Sequence, residues 1–464
     1  MPKIKTEPKF KEKTRLDRWK TILQIAWPLI IANSFWNLQL TIDRIMLGNY
    51  STAALGAAVA VMGVFWTPMA LLQQTSAYLM TFVAQYFGAK KFKMIGPAVW
   101  QSLYVSVVGG LAFLLFIPVS QHVFNFMGHA TELRLFEKEY FDAICYSALP
   151  TAIVAAVSAF YTGLGNTRIV IWINLVGLVA NAILDYIMIF GKFGFPEMGA
   201  AGAGYATSIA TAISAVFALF LMMNRDHEKK FRIISAWKFN LDLMIRFIRY
   251  GLPSGAQWAL EGLAFTVFLI IVGRMPNGPA ALSASSIAIT IMMLSILPAL
   301  GVAQAVSVLV GQHLGENKPK LAEASTWSGY QVALMYIVAV GSTFVLFPQF
   351  YLGWFHNVKD PVLWSQVQVI VPYLLMFVAF FTCFDAMNFV FTFALKGAGD
   401  TRFVSAVVLF LPWPMMVLPT WLIRDWPGGI YWAWGIAAVY GVTQAMIFLR
   451  RFLGGKWKKM SVIH

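Results

Sequence analysis

The stretch "LVANAILDYIMIFG", Leu178–Gly191, is apolar except for Asn181 and Asp185. Those two are four residues apart, so a helix places them on one face. A carboxylate in so oily a segment is ordinary on a wetted surface and expensive in a bilayer, where a central charge costs about 2.5–3.5 kcal/mol on insertion scales. Which solvent surrounds this segment therefore decides the fold.

Composition answers first. Of 464 residues, 59% are apolar and 12% charged, and the mean hydropathy is +0.69. Soluble domains run roughly 45–50% apolar and 25% charged. The chain reads as a polytopic, all-α membrane protein. Its net charge of +15 does not indicate nucleic acid, because the bases fall in alternate loops and at the ends rather than in one patch. Cys145 and Cys383 lie in apolar segments of different halves and read as packing thiols, with no disulfide framework. The opening "MPKIKTEPKFKEKTRLDRWK" is too long and polar for the start of a cleavable leader. It reads as a basic cytoplasmic tail over residues 1–20.

A spanning helix needs about 20 mostly apolar residues. Twelve candidates follow, at about 21–47, 53–80, 97–119, 139–163, 169–191, 199–223, 242–273, 279–310, 325–352, 363–395, 402–423 and 429–452. Lys90, Lys91, Lys93 and Arg168 follow even-numbered spans. So do the basic run 225–238, Lys318, Lys320, Lys396 and Arg402, and the final Arg450–Lys459 group. The remaining loops are short or mixed, as in "HATELRLFEKEY". Both termini are thus expected in the cytoplasm, and the chain in the cell inner (plasma) membrane.

The sequence also repeats itself. "GLGNTR" at 163–168 returns as "GAGDTR" at 397–402, "VAQYFGAKK" at 83–91 as "VGQHLGENK" at 310–318, and "AWPLI" at 26–30 loosely as "YGLPS" at 250–254. The offsets are near half the chain. Six spans per half give parallel, pseudo-symmetric six-helix bundles with a binding site between them. The expected lobes are 21–223 and 242–452, with 224–241 as a cytoplasmic linker and 453–464 as a tail. The "GxGxTR" turns follow helices and lack the Lys-Ser/Thr ending, so they are not phosphate loops.

Four carboxylates fall inside spans: Asp43, Asp185, Glu261 and Asp385. Intramembrane acids face a bundle interior or a wet cavity and mark ion or proton paths. No lysine is expected deep in a helix to pair with them, and Arg44 points about 100° away from Asp43. Asp43 and Asp185 lie five and six residues before their helix ends, and Thr207 eight residues into the next helix. All three therefore sit roughly 8–12 Å below the outer end. Asn174, Asn181 and Asp185 form one stripe. These oxygens could converge into a site suited to a hard cation, or to a carboxylate that exchanges a proton. In the second half Gln257 precedes Glu261 by one turn, and Thr382, Asn388 and Thr392 flank Asp385. That group reads as a site for a cationic substrate or second ion.

Taken together, "WPLIIANSFWNLQLTIDRIMLG", "GLGNTRIVIWINLVGLVANAILDYIMIFG", "MGAAGAGYAT" and "GLPSGAQWALEG" resemble the multidrug and toxic compound extrusion (MATE) transporters over nearly the whole chain. The resemblance implies a cation-coupled antiporter with two six-helix lobes that exchanges sodium or protons for amphipathic, often cationic compounds. By motif, Asp43, Asn181, Asp185 and Thr207 resemble the first-lobe cation site. "NAILD" is similar to the DNA-damage-inducible branch, whereas Glu261 and Asp385 resemble the second-lobe acids of the sodium-coupled multidrug branch. The sequence thus mixes branch markers.

The expected function is a secondary antiporter exporting lipophilic organic cations, acting as a monomer without a cofactor, its coupling ion sodium or a proton. A flippase for a lipid-linked precursor is the alternative; an anionic head group needs several deep bases. An intramembrane enzyme needs a nucleophile with its base or a metal cluster, and His313 and His356 read as loop residues. Trp413, Trp421, Trp426, Trp432 and Trp434 read as an interfacial belt. Methionines and aromatics suit a pocket accepting many shapes.

Overall fold

The computed structural model describes residues 14–127, 131–355 and 361–463, and among these there are helices and connections but no strand. Twelve helical segments run in order: α1 (Arg15–Tyr50), α2 (Thr52–Gly88), α3 (Phe92–Asn125), α4 (Leu133–Cys145 and Ala148–Gly163), α5 (Arg168–Phe190), α6 (Gly199–Met222), α7 (Leu241–Gly273), α8 (Gly278–Gly315), α9 (Pro319–Leu346), α10 (Pro361–Ala398), α11 (Thr401–Leu422) and α12 (Gly429–Leu453). Ten are long and apolar enough to cross a membrane as single helices, and α4 makes an eleventh when its halves, bent by 44°, count as one span. The twelfth is α1, 36 residues long, whose apolar run is diluted by Asp17, Arg18, Lys20, Asn33, Asn37, Asp43 and Arg44.

Two expectations about loops are corrected. "HATELRLFEKEY" is helical from Thr131 onward, because its charges find partners along the helix, as in the 2.6 Å Lys138–Asp142 ion pair, while Phe136, Tyr140 and Phe141 pack inward. The basic start is helical from Arg15, where Arg15 donates to Gln331 and Arg18 to Ser328; residues 1–13 of that tail lie outside the described residues.

The chain divides into two compact units. The first comprises Ile31–Ala259 with Val462–His464; the second comprises Leu260–Ser461 with the start of the chain through Ile30. The division falls inside α1 and α7, shortly after Pro28 and Pro253, and not in the 224–241 segment. A proline inside a helix removes a backbone donor and bends it. In the first unit, the beginning of α7 lies so close to α2 that a Cβ on Gly255 would stand 2.4 Å from the Leu71 carbonyl oxygen. In the second unit, a Cβ on Gly301 of α8 would stand 2.4 Å from Ile30 of α1.

The internal repeat is visible atom by atom. Gly165 and Gly399 both take positive φ, as do Lys90 and Asn317 at matching places in the other motif. Asn166 N–H bonds the Tyr161 carbonyl at 2.9 Å, and Asp400 N–H bonds Leu395 at 2.9 Å; Lys91 N–H bonds Tyr86 and Lys318 N–H bonds His313 in the same way. A Cβ on Gly163 would lie 2.7 Å from the Met80 carbonyl oxygen, and one on Gly397 2.6 Å from that of Ser307. Small residues at crossings let helix backbones approach closely, the main source of helix association where lipid replaces water. Hydroxyls complete these contacts: Ser102 donates to Ser76 O, Ser208 to Ala143 O and Ser214 to Ile173 O, at 2.7–2.8 Å.

Several single residues differ from expectation. Trp434 is buried and donates its indole N–H to Ser285 at 3.0 Å, so it packs the second unit; Trp413, Trp421, Trp426 and Trp432 are exposed. His313 is buried within α8 and not in a loop; His356 lies outside the described residues. Cys145 is buried and Cys383 only partly so. The described part of the 453–464 tail, through Ile463, is packed: Trp457 stacks on Phe452 at 4.8 Å, and the backbone N–H of buried Val462 donates to Gln85 at 2.9 Å.

Candidate functional site

In the first unit, helix geometry brings four of the expected residues together. Asp43 comes from α1, Asn181 and Asp185 from one face of α5, and Thr207 from α6; all four are buried, Asp185 and Asn181 completely. The α5 and α6 ends fix their relative height: Gly191 turns left-handed to end α5, and α6 begins at Gly199, so Asp185 and Thr207 sit at similar depth on either side of the turn. Asn181 donates to Thr207 Oγ1 at 3.3 Å, and the Asp43 carboxyl lies in hydrogen-bonding reach of Asp185, Asn181 and Thr207. With both acids ionised, Asp43 Oδ1, both Asp185 oxygens and Asn181 Oδ1 have no donor. Two bare carboxylates in such contact repel, which a shared proton or a cation between them would offset.

Beside this cluster is a narrow cavity lined by Asp43, Thr207, Gln39, Gln73, Trp36 and Tyr140, among others, with about 10 Å³ open. That is room for about one water-sized particle; a small ion fits and a drug does not. Tyr140, from the charged first half of α4, is within electrostatic range of both acids. Asn174 is on the same α5 face but apart from the cluster, half-buried, and donates to its own helix at Val170.

The second unit holds the other pair. Glu261 on α7 and Asp385 on α10 are half-buried and within electrostatic range of each other. Asn388 donates to Asp385 Oδ1 and lies 3.2 Å from the Gly441 carbonyl of α12. Tyr440 is in range of both acids. Gln257 is buried one turn before Glu261, with its Oε1 lacking a donor; the unit boundary falls between them. Thr382 is turned back to its own helix at Val378.

The expectation of no deep lysine is corrected. Lys396 lies within α10, is buried, has its ammonium 5.2 Å from the Phe393 ring centre, and is within electrostatic range of Glu261. Asp385, Asn388, Thr392 and Lys396 recur at intervals of three and four, one stripe along α10. Because helical side chains lean toward the N-terminus, Lys396 reaches back along that stripe. The spacing was present in the sequence; closeness to the "GAGDTR" turn disguised it as a loop anchor. Among the described residues no group of three or more His, Cys, Asp or Glu is placed to hold a metal ion.

The chain is 26% identical over 453 residues to the probable multidrug resistance protein NorM of Thermotoga maritima, covering 96% of this chain and 94% of that protein. Its fold is similar to that of a MOP superfamily transporter from Pyrococcus furiosus, with a TM-score of 0.86 at 20% identity over 96% of this chain and 97% of the other. An outward-facing multidrug resistance MATE family transporter of the same superfamily gives 0.84 at 19% identity over 96% and 97%. The model of the family MatE matches residues 28–187 and 253–421. Those matches carry Asp43, Asn181 and Asp185 in one repeat and Glu261 and Asp385 in the other, and the chain belongs to the MatE family of membrane transporters.

Proposed function

We propose that this protein is a secondary antiporter of the plasma membrane that exports lipophilic organic cations in exchange for sodium or protons by alternating access, as a monomer with both termini in the cytoplasm. The observation that carries the reading is the buried Asp43–Asp185 contact with its unsatisfied oxygens. Such a pair is completed by one small cation or one proton and relieved of it when the surroundings open. Names of relatives, such as the NorM protein of Thermotoga maritima, support multidrug export as the task. The half-buried Glu261 and Asp385 outnumber Lys396, the one buried lysine or arginine among the described residues, so the interior charge of the second unit favours cationic cargo. A flippase moving an anionic head group calls for several deep bases. Coupling requires that ion and cargo favour different states or compete, and the linkage is reciprocal in binding free energy.

The test is transport in proteoliposomes with sodium and pH gradients imposed separately. Efflux of a cationic dye driven by one of the two gradients is the expected result. Movement of the dye that ignores both gradients, or equal transport of a matched anionic dye, overturns the reading.

A further inference from the structure

The segment after α6 is bound down by its backbone and by the buried side chains of His227, Phe231 and Ile233, while several of its other side chains face outward. A short helix, Arg225–Phe231, is held by His227, which is buried against Phe160, Tyr161 and Phe231 and donates Nδ1–H to the Met222 carbonyl at 2.8 Å. The chain then crosses the start of α3. Gly96 permits this crossing, since a Cβ there would stand 2.4 Å from the Arg232 carbonyl oxygen. Trp100 donates its indole N–H to Ile233 O at 2.6 Å, Tyr104 donates to Trp237 O, and the Tyr104 and Phe239 rings meet at 5.7 Å. Glu228 accepts the backbone N–H groups of Ile234 and Ser235. Those backbone bonds, with the Ser235 side chain first, hold its carboxyl below the ordinary range.

What remains outward is a mixed surface. Ile234, Trp237, Phe239 and Leu241 are 48–61% exposed, with Arg232 exposed just before them and Lys238 exposed between Trp237 and Phe239. Lys230 is turned inward, its ammonium 5.0 Å from the Phe231 ring centre and 5.2 Å from that of Phe92, while Arg225 and Lys229 are exposed on the short helix and Arg232 and Lys238 on the chain that follows it. The apolar face continues without a break onto α7, where Leu241, Ile245, Ile248 and Leu252 are exposed at helical spacing and Arg249 is exposed beside them. Of the nearby carboxylates, Glu228 is engaged with the backbone, and Asp226 and Asp242 are exposed.

We propose that Arg232–Leu252 is a binding surface for an anionic glycerophospholipid. Its phosphate is held by Arg232 and Lys238, its glycerol region is covered by Trp237 and Phe239, and its acyl chains lie along the Leu241–Leu252 stripe of α7. The continuity of the exposed face with a membrane-entering helix selects a lipid over a soluble partner. Tryptophan suits the headgroup level, and bases there attract anionic lipid. Only the assignment to the cytoplasmic leaflet rests on the proposed orientation.

The experiment is native mass spectrometry of the full, delipidated chain offered equal amounts of phosphatidylglycerol and phosphatidylcholine. The wild type should retain phosphatidylglycerol preferentially, and Arg232→Gln with Lys238→Gln should lower that preference about fivefold per charge. Trp237→Ala should weaken retention of both lipids. Lys320→Gln, an exposed charge of the second unit, should change nothing, and soluble glycerol 3-phosphate should not displace the lipid. Equal unfolding temperatures in neutral detergent establish that the variants are folded. A double variant that keeps the wild-type preference overturns the proposal and leaves the face to a protein partner. So does a wild type without preference, or an equal loss in Lys320→Gln. None of these readouts involves transport, so their failure is separate from failure of the antiport reading.

Discussion

Replacing Asp185 by Asn keeps the side chain's volume and removes a charge from a fully buried position. The variant should fold as the wild type does, yet lose the effect of sodium or pH on drug affinity, and Asp43→Asn should do the same. Drug binding to purified variants, with and without sodium from about pH 5 to 8, checks this. Wild-type ion dependence in Asp185→Asn would move the coupling site to Glu261 and Asp385. That Asp43, Asn181, Asp185 and Thr207 lie together was legible in the sequence, because helix rise converts distance from a turn into depth. Tyr140 and Lys396 were not legible. Tyr140 follows a run of charges that resembles a wet loop until the helix pairs them, and Lys396 adjoins a turn where a basic anchor is ordinary.

Helices meet here through what they lack. A methyl group on Gly397 would press a carbonyl oxygen of α8 and one on Gly163 a carbonyl oxygen of α2, backbone atoms that cannot swing aside. Gly397→Ala and Gly163→Ala should each destabilise by about 1–3 kcal/mol, read as a lower unfolding temperature, while Gly262→Ala, with nothing within 4 Å, should be close to neutral. The short helix Arg225–Phe231 answers to pH. Burial holds the His227 imidazole below its ordinary 6.5, against the opposing pull of the Met222 carbonyl. The neutral ring is the docked form, so its contribution is complete above about pH 6.5 and is lost progressively as pH falls. Hydrogen exchange in 225–238, corrected for its intrinsic pH dependence, should rise relative to the rest of the chain between pH about 7.5 and about 5.5. His227→Gln should abolish that pH dependence. A histidine in a charged linker gives no sequence hint of this, since the rings around it come from α4 and from the linker's own end.

At the scale of the whole chain, the repeat places Lys90 and Asn317 at equivalent left-handed positions, with Lys318 next to Asn317, and makes a direct demand on topology. Lys90→Cys and Lys318→Cys should both react with an impermeant thiol reagent from the cytoplasmic side and from no other; labelling from opposite sides excludes the repeat as read. The repeat motifs were legible because glycine and a polar turn recur at fixed offset. Where the two units divide was not, since nothing in "AWPLI" or "YGLPS" states that the helix changes allegiance just beyond its proline. That division has a consequence for how the protein is made. The start of α1 leaves the ribosome first, but its packing partner Gly301 is synthesised some 270 residues later, and the first unit is completed only when the chain has been made through Ala259. Neither half is therefore expected to mature alone during biogenesis. A 1–223 fragment should be degraded when expressed by itself and be rescued by co-expression with 224–464, because each polypeptide carries a helix segment that the other's fold requires.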